Sequence, residues 1–160
     1  MAILFSGNLS KHFSQAEYHP GNATVYMTKE TRVFVNCIEE FRTWLNAPMY
    51  VYSWARTKAE NVKLNGHPNS NHLQPRSCAQ DWHLTKTITK DMFITYAKKW
   101  AAICKAHGTV GEAGFYDAGW VHFGIQNSQQ AKANGHKFVH WHTLKNGTQI
   151  NNPYPELRGL

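Results

Sequence analysis

Two stretches of the chain repeat apolar side chains at the three-and-four spacing of helices that bury one side. In the first, Phe34, Cys37, Ile38, Phe41, Trp44 and Leu45 share a stripe between an N-cap at Thr28 and the breaker Asn46-Ala47-Pro48. In the second, Phe93, Tyr96, Ala97, Trp100, Ile103 and Cys104 repeat from near Thr89, with Lys105 and His107 in the last turn and Gly108 as the C-cap. Both stripes predict core packing. Shorter runs of strand-forming composition predict strands over residues 49–54, 81–84, 114–117, 120–126 and 137–144, the third and fourth forming a hairpin. A short helix is expected from 57 to about 64, closed by Asn65-Gly66. Helix, strand, helix, strand, helix and then a run of strands predict an α+β fold, with helices packed on a small antiparallel sheet.

Composition narrows the class. The chain has 160 residues, without an internal repeat, low-complexity stretch or linker, and a single domain is expected. Its 42% hydrophobic and 17% charged content, with six Trp and seven Tyr, describes an aromatic-rich globule rather than a disordered chain. No apolar run approaches the roughly 20 residues needed to span a bilayer, so no membrane partner is expected. The N-terminal residues 1–5 lack a basic lead and a full apolar segment, which predicts synthesis in a cytoplasm without a signal peptide. Cys37, Cys78 and Cys104 lack metal-site spacing and read as reduced, buried thiols. A net charge of +7 calls for a polyanionic partner. The lysines are scattered, with no basic run and no nucleic-acid motif, which favours the anionic bacterial cell wall over nucleic acid.

Ten histidines supply the candidate chemistry. His12, His19, His67 and His107 lie in polar or turn contexts and read as solvated or capping. His72 differs: it follows Asn69-Ser70-Asn71 in a turn just ahead of the strand that carries Asp81. Site residues commonly sit on such loops, although a loop His beside a strand-end Asp also makes an ordinary local hydrogen bond. A second His-rich region begins at Trp120-Val121-His122. Two imidazoles and a carboxylate from distant segments are a usual ligand set for a hydrolytic zinc, which keeps one position open for water. His140-Trp141-His142 offers more imidazoles, because residues two apart on a strand share a face. Two arrangements follow. His122 is the ligand and His140 or His142 a polar partner, or His142 is the ligand and His122 its neighbour.

These elements occur in a recognisable series. Leu9-Ser10-Lys11-His12-Phe13-Ser14-Gln15-Ala16-Glu17-Tyr18 is followed by Phe41-Arg42-Thr43-Trp44-Leu45, Ser53-Trp54-Ala55-Arg56, Asn61 and Ser70-Asn71-His72. Then come Ala79-Gln80-Asp81, Val110-Gly111, Gly114-Phe115-Tyr116 and Trp120-Val121-His122. From about Leu9 to Gln126 the chain resembles the zinc D-alanyl-D-alanine carboxypeptidase-like family, which includes phage endolysins and shares its fold with the hedgehog signalling domain. The resemblance implies Zn2+ held by His72, Asp81 and His122, with Arg56 directed at the substrate's carbonyl or carboxylate. It implies hydrolysis of peptidoglycan stem peptides by a phage lysis or virion-associated enzyme, with phage virion proteins as further partners. Two departures stand out. The loop from His72 to Asp81 is longer than usual in the family, and Gly119 and Gly124 occupy the places where its catalytic acid is commonly found. The nearest acids are Asp117 and Glu112. The turn Asp117-Ala118-Gly119 favours Asp117 as the base, and His140 or His142 is a polar group that could replace the missing acid, His142 being counted with Asp117 and Arg56 as a catalytic candidate. The missing acid also leaves room for a different expectation: a virion structural or binding module that keeps the fold without turnover.

Overall fold

Local hydrogen bonding fixes where the two long helices begin. The computed structural model describes residues 3–5, 9–19 and 25–160, so Met1 and Ala2 of the N-terminal stretch lie outside the described residues. Strand β1 (Ile3–Phe5), helix α1 (Gln15–Tyr18) and strand β2 (Val25–Met27) precede helix α2 (Lys29–Leu45), and β1 and β2 pair in a small antiparallel ribbon. The Thr28 hydroxyl accepts from the Thr31 N–H and the Thr31 hydroxyl reaches back to the Thr28 N–H, while Asn46 closes α2 in the left-handed region. Strand β3 (Tyr50–Ser53), helix α3 (Lys58–Lys63) and strand β4 (Ala79–His83) lead to helix α4 (Lys90–Ala106), whose N-cap is Thr89. These bounds agree with the sequence reading to within two residues.

After α4 come β5 (Gly111–Tyr116), β6 (Trp120–Ile125), α5 (Ser128–Ala133), β7 (Val139–Thr143) and β8 (Gln149–Asn151), then a 3-10 turn at Pro155–Leu157. Six strands form one open sheet in the order β3-β4-β6-β5-β7-β8. The sheet is mixed, which corrects the expectation of a purely antiparallel one: β7 runs parallel to β5, in the register Glu112↔Val139 to Tyr116↔Thr143. The β5–β6 hairpin is the reason. It returns the chain to the end of the sheet where β5 starts, and α5 then carries it past β5, so β7 runs in the direction of β5 on its other side. Residues 137–144 are also not the last strand, because β8 pairs antiparallel with β7 at the sheet edge.

Alternation along the strands separates two faces. Trp82, Val121, Phe123, Ala113 and Phe115 point to one face, where α2 and α4 cover them and all are buried. Phe41 of α2 meets Phe123 edge-on at 4.9 Å, and Trp100 of α4 stacks on the same ring at 5.1 Å. The Trp100 indole N–H donates to the carbonyls of Glu112 and Gly124, so its one polar group is satisfied inside this core. Near the chain's end Tyr154 inserts beside Phe93, His140 and His142 at ring separations of 5.4, 5.5 and 6.1 Å. The other face carries Asp81, His122, Glu112, Gly114 and Trp141 and opens into a cleft. Among the described residues, no helix is long and apolar enough to cross a membrane.

Phe41 has no exposed surface and touches Trp82, Trp100 and Phe123. Phe41→Ala should therefore lower unfolding free energy by about 3–5 kcal/mol. Denaturant titration should show this as a lower midpoint with an unchanged slope.

Candidate metal centre

His72 reaches the sheet from a loop tied down at several points. The Arg56 N–H donates to the His72 carbonyl and the Gln74 N–H to the Arg56 carbonyl, both at 2.9 Å, a short parallel bridge between the end of β3's segment and the loop. The Cys78 N–H donates to the Asn71 carbonyl at 2.7 Å, and the Trp54 indole donates to the Ser77 carbonyl at 3.1 Å. Arg76 donates to the Asn71 side chain and, at 2.8 Å, to the Ile125 carbonyl. Between His72 and Asp81 the chain makes a turn closed by Ser77 N–H to Leu73 O, with Ser77 in the left-handed region.

Asp81 and His122 are direct cross-strand partners on β4 and β6. The three side chains converge. His72 Nε2, His122 Nδ1 and Asp81 Oδ1 lie 2.8 to 3.2 Å from one another, and all three residues are buried. Each also has its remaining polar atom engaged on the outside. His72 Nδ1–H donates to the Trp54 carbonyl at 2.6 Å, and Asp81 Oδ2 accepts from Arg56 Nη2 at 2.7 Å. His122 Nε2–H donates to Glu112 Oε1 at 3.1 Å. These outer contacts fix both tautomers, so two imidazole lone pairs and a carboxylate oxygen face one point. Three acceptors without a donor need a cation between them, either a proton or a metal ion. The donor set fits a metal ion.

Charge follows the same pattern. Burial lowers the pKa of His72, and the nearby Asp81 carboxylate only partly opposes this. Burial also acts against the His122 cation, but hydrogen bonds to Asp81 and Glu112 outweigh it and raise the group to about 9. Asp81 is held well below the usual carboxylate range by the two imidazoles, against the cost of burial. Glu112 is lowered too: burial is outweighed by its bonds to His122 and Asn71. In the metal-free protein a proton on His122 thus stands where a metal would.

Glu112 is the acid that the sequence names beside Asp117 but gives no reason to prefer. It is the cross-strand partner of Gly124, and the absent side chain at 124 makes its room. A Cβ there would lie 2.6 Å from Glu112 Oε1 and 3.1 Å from His122 Nε2. Asn71 Nδ2 donates to the same Oε1 at 2.7 Å. The signal was available: counting outward from the turn at 117–119 pairs Tyr116 with Trp120 and hence Glu112 with Gly124.

Asp117 and His142 stand elsewhere. They bond to each other at 2.7 Å, and β5–β7 pairing opposes His142 to Phe115, on the helix-covered side of the sheet. His140 lies on that side as well, stacked on Tyr154. The same-face relation of His140 and His142 holds, but the face is the one turned away from the metal ligands. Trp141, between them, is on the cleft side, 5.0 Å from the His122 ring and pressed against Gly114. The cleft above the three ligands encloses about 620 Å³. Its walls include Arg56, Tyr116, Trp120 and Trp141, and Asp81 and Glu112 are the carboxylates in its lining. No protein-family model, curated protein or solved structure matches the chain.

Two outcomes test this centre. Glu112→Gln and Gly124→Ala should each weaken binding of Co2+ or Zn2+ by about 10–100-fold, measured by competition with a chromogenic chelator. The His122 pKa, raised from 6.5 to about 9, gives the metal-free protein stability that is complete below the lower value and lost through the upper one. Melting temperature in chelator should therefore fall between about pH 6.5 and about pH 9, and added metal should flatten that decline.

Proposed function

We propose that the chain is a zinc-dependent peptidase of bacterial peptidoglycan stem peptides, a phage lysis or virion-associated enzyme with a hedgehog/D-alanyl-D-alanine carboxypeptidase-like fold. The observation that carries this reading is the meeting of His72 Nε2, Asp81 Oδ1 and His122 Nδ1 at the floor of an open cleft. Two nitrogens and one oxygen from the protein, with space above them, favour a hydrolytic zinc over a closed structural site. Ligand atoms about 2.0–2.1 Å from a tetrahedral ion stand about 3.3 Å apart, close to the 2.8–3.2 Å spacing of this trio. Bound there, zinc supplies a water of near-neutral pKa and a Lewis acid for the scissile carbonyl.

The chain's own groups divide the remaining work. Glu112 is the cleft carboxylate left over once Asp81 serves as a ligand. Its Oε1 is tied to Asn71 and His122, and its Oε2, with no hydrogen bond among the described residues, is the proton acceptor we assign in place of Asp117. Arg56 uses Nε on Ser53 and Nη2 on Asp81, which leaves Nη1 for a substrate carbonyl or carboxylate. Burial pushes the Tyr116 phenol in the cleft lining up to about 12, so it keeps its proton and can donate it to a substrate oxygen. The +7 charge draws the protein to an anionic wall.

Zinc-loaded protein should release muropeptides from purified sacculi, read by liquid chromatography and mass spectrometry. His72→Ala should abolish release and Glu112→Gln should reduce it by about 10²–10⁴-fold, whereas Asp117→Ala and His142→Ala should retain it. A folded, zinc-binding wild type that releases nothing from Gram-negative or Gram-positive walls would instead be a binding module.

A further inference from the structure

The cleft continues outward as a run of aromatic rings that neither the metal centre nor the core uses. Tyr52, on edge strand β3, is 73% exposed, and its ring stacks on Trp120 at 6.1 Å and 23°. Trp120 in turn lies flat on Tyr116 at 3.4 Å and 15°. The Tyr116 hydroxyl accepts from Trp141 Nε1 at 3.2 Å, and Trp141 borders His122. An unbroken aromatic path thus leads from open solvent to the three metal ligands. Two residues before Tyr52, exposed Tyr50 is backed in the same way by His83, stacked at 5.3 Å and 19°. The hydrophobic core lies on the opposite face of the sheet, so folding does not require these rings to be ordered in the open. Exposed aromatic surface held in a fixed arrangement beside a cleft marks a binding surface.

We propose that Tyr52, backed by Trp120 and Tyr116, is a saccharide subsite that stacks on a pyranose ring of a β-linked N-acetylamino-sugar strand. The chemistry selects this class. The C–H face of a pyranose packs on an aromatic plane while its equatorial hydroxyls and acetamido groups keep their hydrogen bonds. The adjoining wall offers neutral polar groups, Thr143 and Gln149. Among the described residues no lysine lines the cleft, and Arg56, its one arginine there, is bound to Asp81, which disfavours a phosphodiester chain. The stack is made of aromatic rings and Leu64 is the aliphatic side chain in the described cleft lining, which falls short of the apolar stripe that buries a helix of a protein partner. A backed ring is also already ordered, so stacking costs little further side-chain entropy. The choice of an amino-sugar strand rests on the peptidoglycan reading above: a subsite here would hold the glycan while its stem peptide enters the cleft.

Tetra-N-acetylchitotetraose titrated into the full chain, followed by tryptophan fluorescence and calorimetry, should bind in the micromolar-to-millimolar range. Tyr52→Ala should weaken binding by about tenfold and Tyr52→Trp should preserve it. Chelating the metal should change the affinity little. No saturable binding by wild type, equal binding by Tyr52→Ala, or tighter binding of single-stranded oligonucleotide than of saccharide overturns the subsite. Saccharide binding without muropeptide release would count against the peptidase reading alone, and release without saccharide binding against the subsite alone.

Discussion

The cross-strand pair of Asp81 with His122 is the constraint on which the rest depends. The same register sets Trp82 opposite Val121 beneath the helices and Asp81 opposite His122 above the cleft. Because side chains alternate, core and metal centre are two faces of one alignment. A slip of one residue between β4 and β6 would expose the indole of Trp82 and bury a carboxylate among aromatic rings. The aromatic core therefore holds the ligands in place without touching them.

Around that pair the outer contacts do more than fill space. Trp54 O, Glu112 and Arg56 each take one atom of a ligand and leave the other directed inward. All three come from outside the segments that carry the ligands: Trp54 and Arg56 from the stretch after β3, Glu112 from β5. Gly124 contributes by lacking a side chain. A small residue on a strand ordinarily weakens it; here the Glu112 carboxylate fills the vacated volume and makes two hydrogen bonds.

Much of this was legible in the sequence, and the rest was hidden for identifiable reasons. The long helices announce themselves by their stripes and by Thr28 and Thr89, since amphipathic period and capping are local. His72, Asp81 and His122 could be named from residue type and order, while their meeting depended on pairing across 41 positions between Asp81 and His122. Helices α1 and α5 went unread although Ser14 with Glu17 and Asn127 with Gln130 are capping boxes, because so few apolar residues follow. The side on which His142 falls could not be read locally. It is set by the parallel register between β5 and β7, strands separated along the chain by β6 and α5.

The three ligands do not come from equivalent supports. Asp81 and His122 belong to interior strands of the sheet, each with a neighbour on both sides, and cannot part without tearing it. His72 belongs to a loop that several hydrogen bonds fasten along its length. An ion entering or leaving between these groups would meet one support that can swing and two that cannot, and Arg76, which touches none of the three side chains, helps to latch the one that can.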